Sequence, residues 1–146
     1  MENIRLLREK KYMTVTIFSV HNDGRFVHAG AHQDILIYRA AEALVETVET
    51  SGTWIGFMDD IKNMVSDSTL CLSPWDVMLL YTDGIAEAER TGNNNEHLKF
   101  YGNEQLVQIL RSQGKAAPGK IREVLITNLE GYTCPDDVAF IIIKQL

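Results

Sequence analysis

Val77-Met78-Leu79-Leu80-Tyr81-Thr82-Asp83-Gly84 runs directly into Ile85-Ala86-Glu87-Ala88-Glu89. Its apolar and aromatic residues form a continuous run too short for an amphipathic helix, so it reads as a strand buried on both faces. The strand carries Asp83 to its end, and Gly84 lets the backbone turn sharply there. A buried strand ending in a carboxylate and a flexible turn can present a metal ligand or a catalytic acid. Asp83 can equally cap a helix over Ile85 to Arg90. Local sequence leaves both readings open.

The 146 residues, 45% hydrophobic and 23% charged, have the size and composition of a single globular domain with a real core. No stretch approaches the roughly 20 apolar residues of a membrane span. Met1 to Lys11 is charged and lacks the apolar core of a signal peptide, so the expectation is a cytoplasmic protein. A net charge of -6 argues against nucleic-acid binding, which needs a basic surface. Cys71 and Cys134 make neither a disulfide framework nor a Cys-x-x-Cys zinc site. Cys71, between Leu70 and Leu72, is expected in the core, and Cys134 precedes a proline in a loop.

Outward from the opening stretch, Asn3 to Lys11 reads as the back end of a helix. Met13 to Val20 and Arg25 to Ala29 read as strands joined by a hairpin turn at Asn22-Asp23-Gly24. Gly30 to Asp34 reads as a loop, Ile35 to Arg39 as a third strand and Val45 to Thr50 as a fourth. Ala40 to Leu44 has helical propensity. Ser51 to Gly56 is a glycine-bounded loop, Asp59 to Met64 a helical turn, and Val65 to Leu72 a strand. Thr91 to Asn95 is a polar surface loop. Asn103 to Ser112 and Ala117 to Leu129 carry apolar residues at helical spacing, the second with Pro118 near its start. Val138 to Ile143 is an apolar strand preceded by Asp136-Asp137. Strands, then two helices, then a last strand indicate an α+β fold.

If the strands ending at Asp83 and beginning after Asp136-Asp137 are antiparallel neighbours, the acids meet at the rim of one sheet. Carboxylates that close repel unless protonated or bridged by a cation. Hard oxygen donors select Mg²⁺ or Mn²⁺. The competing reading is a pair of solvated turns. A haloacid-dehalogenase-type site fits poorly, because it needs a second Asp where Ile85 stands.

Leu79-Leu80-Tyr81-Thr82-Asp83-Gly84-Ile85-Ala86-Glu87-Ala88 resembles the signature of SpoIIE-type (RsbU-like) phosphatases of the metal-dependent protein phosphatase (type 2C) superfamily. Other segments are similar to that family in the same order. Met13 to Val20 resembles a strand that opens its second half, and Ala29-Gly30-Ala31-His32 with Ile35 to Arg39 its Ala-Gly-His segment. Gly52 to Gly56 resembles its glycine-bounded loop, Phe100-Tyr101-Gly102 to Leu106 a helix entry, and Asp136-Asp137-Val138 its closing motif. Ala31 is inserted relative to the Ala-Gly-His pattern. Trp75 replaces the family's usual Gly before Asp76, and Ala139 a frequent Thr; both read as packing changes.

The resemblance implies an antiparallel β-sandwich flanked by helices, with a two-metal Mn²⁺ or Mg²⁺ centre. There, metal-activated water would hydrolyse phosphoserine or phosphothreonine. It implies Asp83 and Asp136 as metal ligands and Asp137 as an outer-shell candidate. Gly84 would be a close-approach glycine, and His32 an outer-shell or simply structural histidine. The substrate would be a phosphorylated anti-sigma-factor antagonist in a bacterial pathway. The family's first segment, with its own metal-binding Asp, has no counterpart in these residues. Residues 1–146 are therefore expected to be the C-terminal portion of a phosphatase domain, with the N-terminal strands missing, a sheet edge exposed and little activity alone. Either these residues are a fragment of a longer protein, which would carry an N-terminal sensor or receiver domain, or the chain pairs with another copy, as a homodimer, to complete itself. The rival expectation is a non-catalytic scaffold module with the same fold.

Overall fold

In the computed structural model of the chain, residues 12–56, 60–90 and 99–146 are described. The expected helix over Asn3 to Lys11 and the loop Thr91 to Asn95 lie outside them. The chain divides into two compact units, residues 1–34 with 49–71 and residues 35–48 with 72–146.

The first unit is a three-stranded antiparallel sheet of β1 (Val15–Val20), β2 (Arg25–Ala31) and β5 (Ser68–Cys71), with β2 central. The β1–β2 hairpin turns at Gly24, whose φ of 80° is the left-handed conformation expected of Asn-Asp-Gly. The second strand continues through Gly30 and Ala31, which the sequence places in a loop, because both pair with Thr16 and Val15 of β1. β5 is shorter than Val65 to Leu72, since its ladder with β2 begins only at Ser68. Cys71 is exposed, correcting its expected place in the core. Leu70 and Leu72 are buried, and the period-2 alternation of a strand turns the residue between them outward.

The second unit holds a four-stranded antiparallel sheet in the order β4 (Leu44–Val48), β3 (Ile35–Arg39), β6 (Val77–Tyr81), β9 (Phe140–Lys144). Burial of β3 and β6 is nearly complete on both faces, as an uninterrupted apolar run requires. Leu36, Tyr38, Val77, Leu79 and Tyr81 project from one face into a core with two helices, α2 (Gly102–Gln113) and α3 (Pro118–Leu129). Those helices contribute Leu106, Ile109 and Leu110, and Ile121 and Leu125, at three- and four-residue spacing. Pro118 occupies the first turn of α3, where its missing N–H costs nothing. Lys144 ends β9 by donating to the carbonyls of Gly114, Lys115 and Ala116 at 3.3, 3.0 and 2.8 Å, the three residues that follow α2.

Ala40 to Leu44 is a turn into β4, with Ala43 at φ 53°, so its helical propensity loses to antiparallel pairing of the flanking strands. Trp75 stands at φ 72° and is 60% exposed. Its replacement of Gly is therefore a backbone matter and not the packing change read from sequence: a left-handed position is occupied by a residue with a Cβ. The turn is held by Asp76, whose carboxylate accepts from the amides of Ala40 and Ser73 and from Arg39 at 2.8–3.0 Å. Burial raises the Asp76 pKa, but those bonds outweigh it and hold the carboxyl below its ordinary 3.8.

Candidate functional site at the β6–β9 rim

β6 and β9 pair antiparallel, from Val77 opposite Lys144 to Tyr81 opposite Phe140. The end of one strand thus lies beside the start of the other, the arrangement in which Asp83 and Asp136-Asp137 share a rim. Asp83 opens a single-turn helix, α1 (Asp83–Ala86), in place of the expected helix over Ile85 to Arg90. Glu89–Arg90 instead forms a short strand, β7, antiparallel to β8 (Lys99–Phe100). Thr82, not Asp83, is the residue preceding the helix, so Asp83 is not its N-cap. The Asp83 carboxylate accepts from the Gly84 amide at 3.0 Å, a local bond that leaves its other oxygen uncommitted to that amide.

Gly84 is a close-approach glycine in the literal sense. A Cβ there would lie 2.5 Å from the carbonyl oxygen of Asp137 and 2.8 Å from that of Asp136. Both contacts are to backbone, which cannot swing aside as a side chain can. β9 begins two residues later than expected, at Phe140. Between the acids and that strand, Thr82 carries the pairing on: its amide donates to the Ala139 carbonyl at 3.0 Å, while its hydroxyl bridges Asp137 and Ala139. Thr82 is the residue sequence reasoning passed over, although it sits inside the quoted motif. Its signal is a hydroxyl at the last step of a strand that ends in Asp-Gly.

Asp136 and Asp137 are exposed and Asp83 is half-buried. The Asp136 carboxylate accepts from the Asp137 amide at 2.7 Å. His32 belongs to the first unit, where its ring Nδ1 lies 2.8 Å from the Thr14 hydroxyl and its amide donates to the Thr50 hydroxyl at 3.1 Å. His28 is buried and stacked on Phe18, and burial lowers its pKa. Among the described residues, no group of three or more His, Cys, Asp or Glu side chains converges on a point a metal could occupy. The acids at the rim nevertheless have the right chemistry for a hard divalent cation, being carboxylate oxygens only.

The family model for Stage II sporulation protein E (SpoIIE) matches residues 2–145. The chain belongs to the SpoIIE family. Among solved structures, the SiaA PP2C domain of Pseudomonas aeruginosa is 17% identical with a TM-score of 0.75, over 97% of this chain and 55% of that one. The RsbU and RsbW domains of a Mycobacterium tuberculosis protein are 22% identical with a TM-score of 0.68, over 99% and 39%. The Mn-presoaked phosphatase domain of the cell fate determinant SpoIIE from Bacillus subtilis is 14% identical with a TM-score of 0.62, over 90% and 56%. No curated protein sequence gives a significant match. The α+β fold of antiparallel sheets with a few helices is thus that of PP2C-like phosphatase domains. The chain spans about half the length of the domains it matches. Among the described residues no helix is long and apolar enough to cross a membrane.

Proposed function

We propose that this SpoIIE-family chain is the metal-binding C-terminal part of a protein serine/threonine phosphatase acting in cytoplasmic bacterial signalling. The observation that carries the reading is the antiparallel pairing of β6 with β9, which brings Asp83 beside the Asp136-Asp137 segment with Gly84 against its carbonyls. Asp83 and Asp136 are assigned as ligands of Mn²⁺ or Mg²⁺, and Asp137 as an outer-shell residue. Bound there, such an ion lowers the pKa of a coordinated water and polarises phosphoryl oxygens. The chain's own part is to hold carboxylates at a solvent-open rim, where a phosphoserine on a folded partner can reach them. The remaining donors of a two-metal centre are assigned to the rest of the domain. A phosphorylated anti-sigma-factor antagonist is the substrate class this family membership favours.

The test is Mn²⁺-dependent hydrolysis of para-nitrophenyl phosphate and of a phosphoserine protein by the full-length protein that carries this sequence. Asp83→Asn and Asp136→Asn should each lower the rate by more than the roughly 10–100-fold that losing a ligand's supporting partner costs. Activity that persists in both variants shows the ligand assignment to be wrong. A wild-type protein that neither binds Mn²⁺ nor hydrolyses either ester is the scaffold module.

A further inference from the structure

We infer that Thr82 is a positioning residue for the Asp136-Asp137 segment, acting through its hydroxyl and not through the β-ladder. This rests on the metal-site reading above. The β6–β9 ladder ends at Tyr81 opposite Phe140, and a single backbone bond, from the Thr82 amide to the Ala139 carbonyl, carries the pairing one step on, so it does not reach residues 136–138. Thr82 supplies what the ladder lacks. A hydroxyl has one proton and two lone pairs. Here it donates to the Asp137 carbonyl at 2.9 Å and accepts from the Ala139 amide at 3.0 Å. The Ala139 carbonyl, 3.3 Å away, already accepts from the Thr82 amide at 3.0 Å, so the proton is best spent on Asp137.

The other end of the same segment is fastened as well. Glu89 and Thr133 exchange both backbone hydrogen bonds, at 2.8 and 2.7 Å. The acid-bearing loop is thus pinned at Thr133 to β7 and at Asp137–Ala139 to Thr82, with Gly84 allowing the close approach between. Every anchor lies within residues 82–89, the segment that also bears Asp83. The spacing between Asp83 and Asp136 is therefore set by one short, continuous stretch. Thr82 is the only anchor in it that works through a side chain, and so the only one a substitution can remove without altering the backbone.

The experiment uses the full-length protein with Thr82→Val, which keeps shape and removes the hydroxyl, and Thr82→Ser, which restores it. Mn²⁺ affinity is read by calorimetric titration, and amide hydrogen exchange is followed at Asp137 and Ala139 without metal. Thr82→Val should weaken Mn²⁺ binding about 10-fold and speed exchange at Ala139, while Thr82→Ser stays within about threefold of wild type. Thr82→Val with wild-type affinity overturns the role of Thr82 and leaves the ligands standing. Thr82→Ser as weak as Thr82→Val also overturns it, because the hydroxyl is then not what matters. Absence of Mn²⁺ binding in the wild type overturns the metal reading, and this inference falls with it.

Discussion

Gly84→Ala is the sharpest test of how the rim is built. The added methyl would lie 2.5 Å from the Asp137 oxygen, 2.8 Å from the Asp136 oxygen and 2.9 Å from the Asp137 carbonyl carbon. All three atoms are backbone, fastened by Thr82 on one side and the β7 bridge on the other. Relief therefore requires the chain itself to move, at the roughly 2–3 kcal/mol of an overpacked site. Replacing glycine in a helical turn returns about 0.5–1 kcal/mol of chain entropy. The net expectation is destabilisation by about 1–2 kcal/mol, or roughly 3–8 °C in Tm for a chain of this size. Gly119→Ala is the internal control, because a Cβ there meets nothing within 4 Å and lies in the first turn of α3. It should hold or raise Tm. Urea and thermal unfolding of both variants decide the matter. If Gly84→Ala unfolds at or above the wild-type temperature, the close approach is not a constraint and the rim geometry argued from it is wrong.

Trp75→Gly should raise stability by about 0.5–1 kcal/mol in urea unfolding, because relief of a left-handed conformation exceeds the entropy of the glycine and the exposed ring gives up little burial. Asp76→Ala should cost about 3 kcal/mol, since it takes the partner 2.8 Å from Arg39 out of a site where Asp76 is 2% exposed. The folded pKa of Asp76 lies below 3.8, so the unfolded chain binds the proton more readily. Its contribution is complete well above that value and is lost as pH falls through the folded pKa, and Asp76→Asn should flatten this part of the acid-unfolding curve. Lys144→Met should cost about 1–2 kcal/mol by releasing the three carbonyls of the turn that follows α2, with reduced exchange protection there as the local readout.

The elements that sequence places well are those with a repeating physical cause. β3 and β6 follow from uninterrupted apolar runs, α2 and α3 from helical spacing, and the β1–β2 hairpin from Asn-Asp-Gly. The misplacements have causes that a single strand of text does not display. Cys71 looks apolar in company, yet strand alternation sends it outward between two buried leucines. The helix expected after Ile85 stops at Ala86 because Glu89 and Arg90 find β8 as a partner, and pairing outweighs weak local helicity. Trp75 itself carries no mark of its positive φ; the family's usual Gly at that position does, and Asp76 holds the turn by binding the amides of Ala40 and Ser73.

The rim itself was half legible, and the division is instructive. Asp83, Asp136 and Asp137 stand out in the text because acids interrupt the apolar runs beside them, Asp83 at the end of one and Asp136-Asp137 before another. Thr82 does not, because a threonine at a strand end is ordinary until its bonds to Asp137 and Ala139 are seen. Gly84 lies between these cases: local sequence suggests a turn and the family resemblance a close approach, and the structure supplies the approaching atoms, the carbonyls of Asp137 and Asp136 where a Cβ would sit. Tyr81 to Gly84 therefore works as a unit. Tyr81 closes the ladder, Thr82 extends it by a side chain, Asp83 presents the charge and Gly84 makes room for the opposing segment. A substitution at either Thr82 or Gly84 should disturb the Asp136 side of the site without touching a carboxylate. That separates this construction from one in which the acids are independent surface turns: independent turns predict that Mn²⁺ affinity is indifferent to both residues.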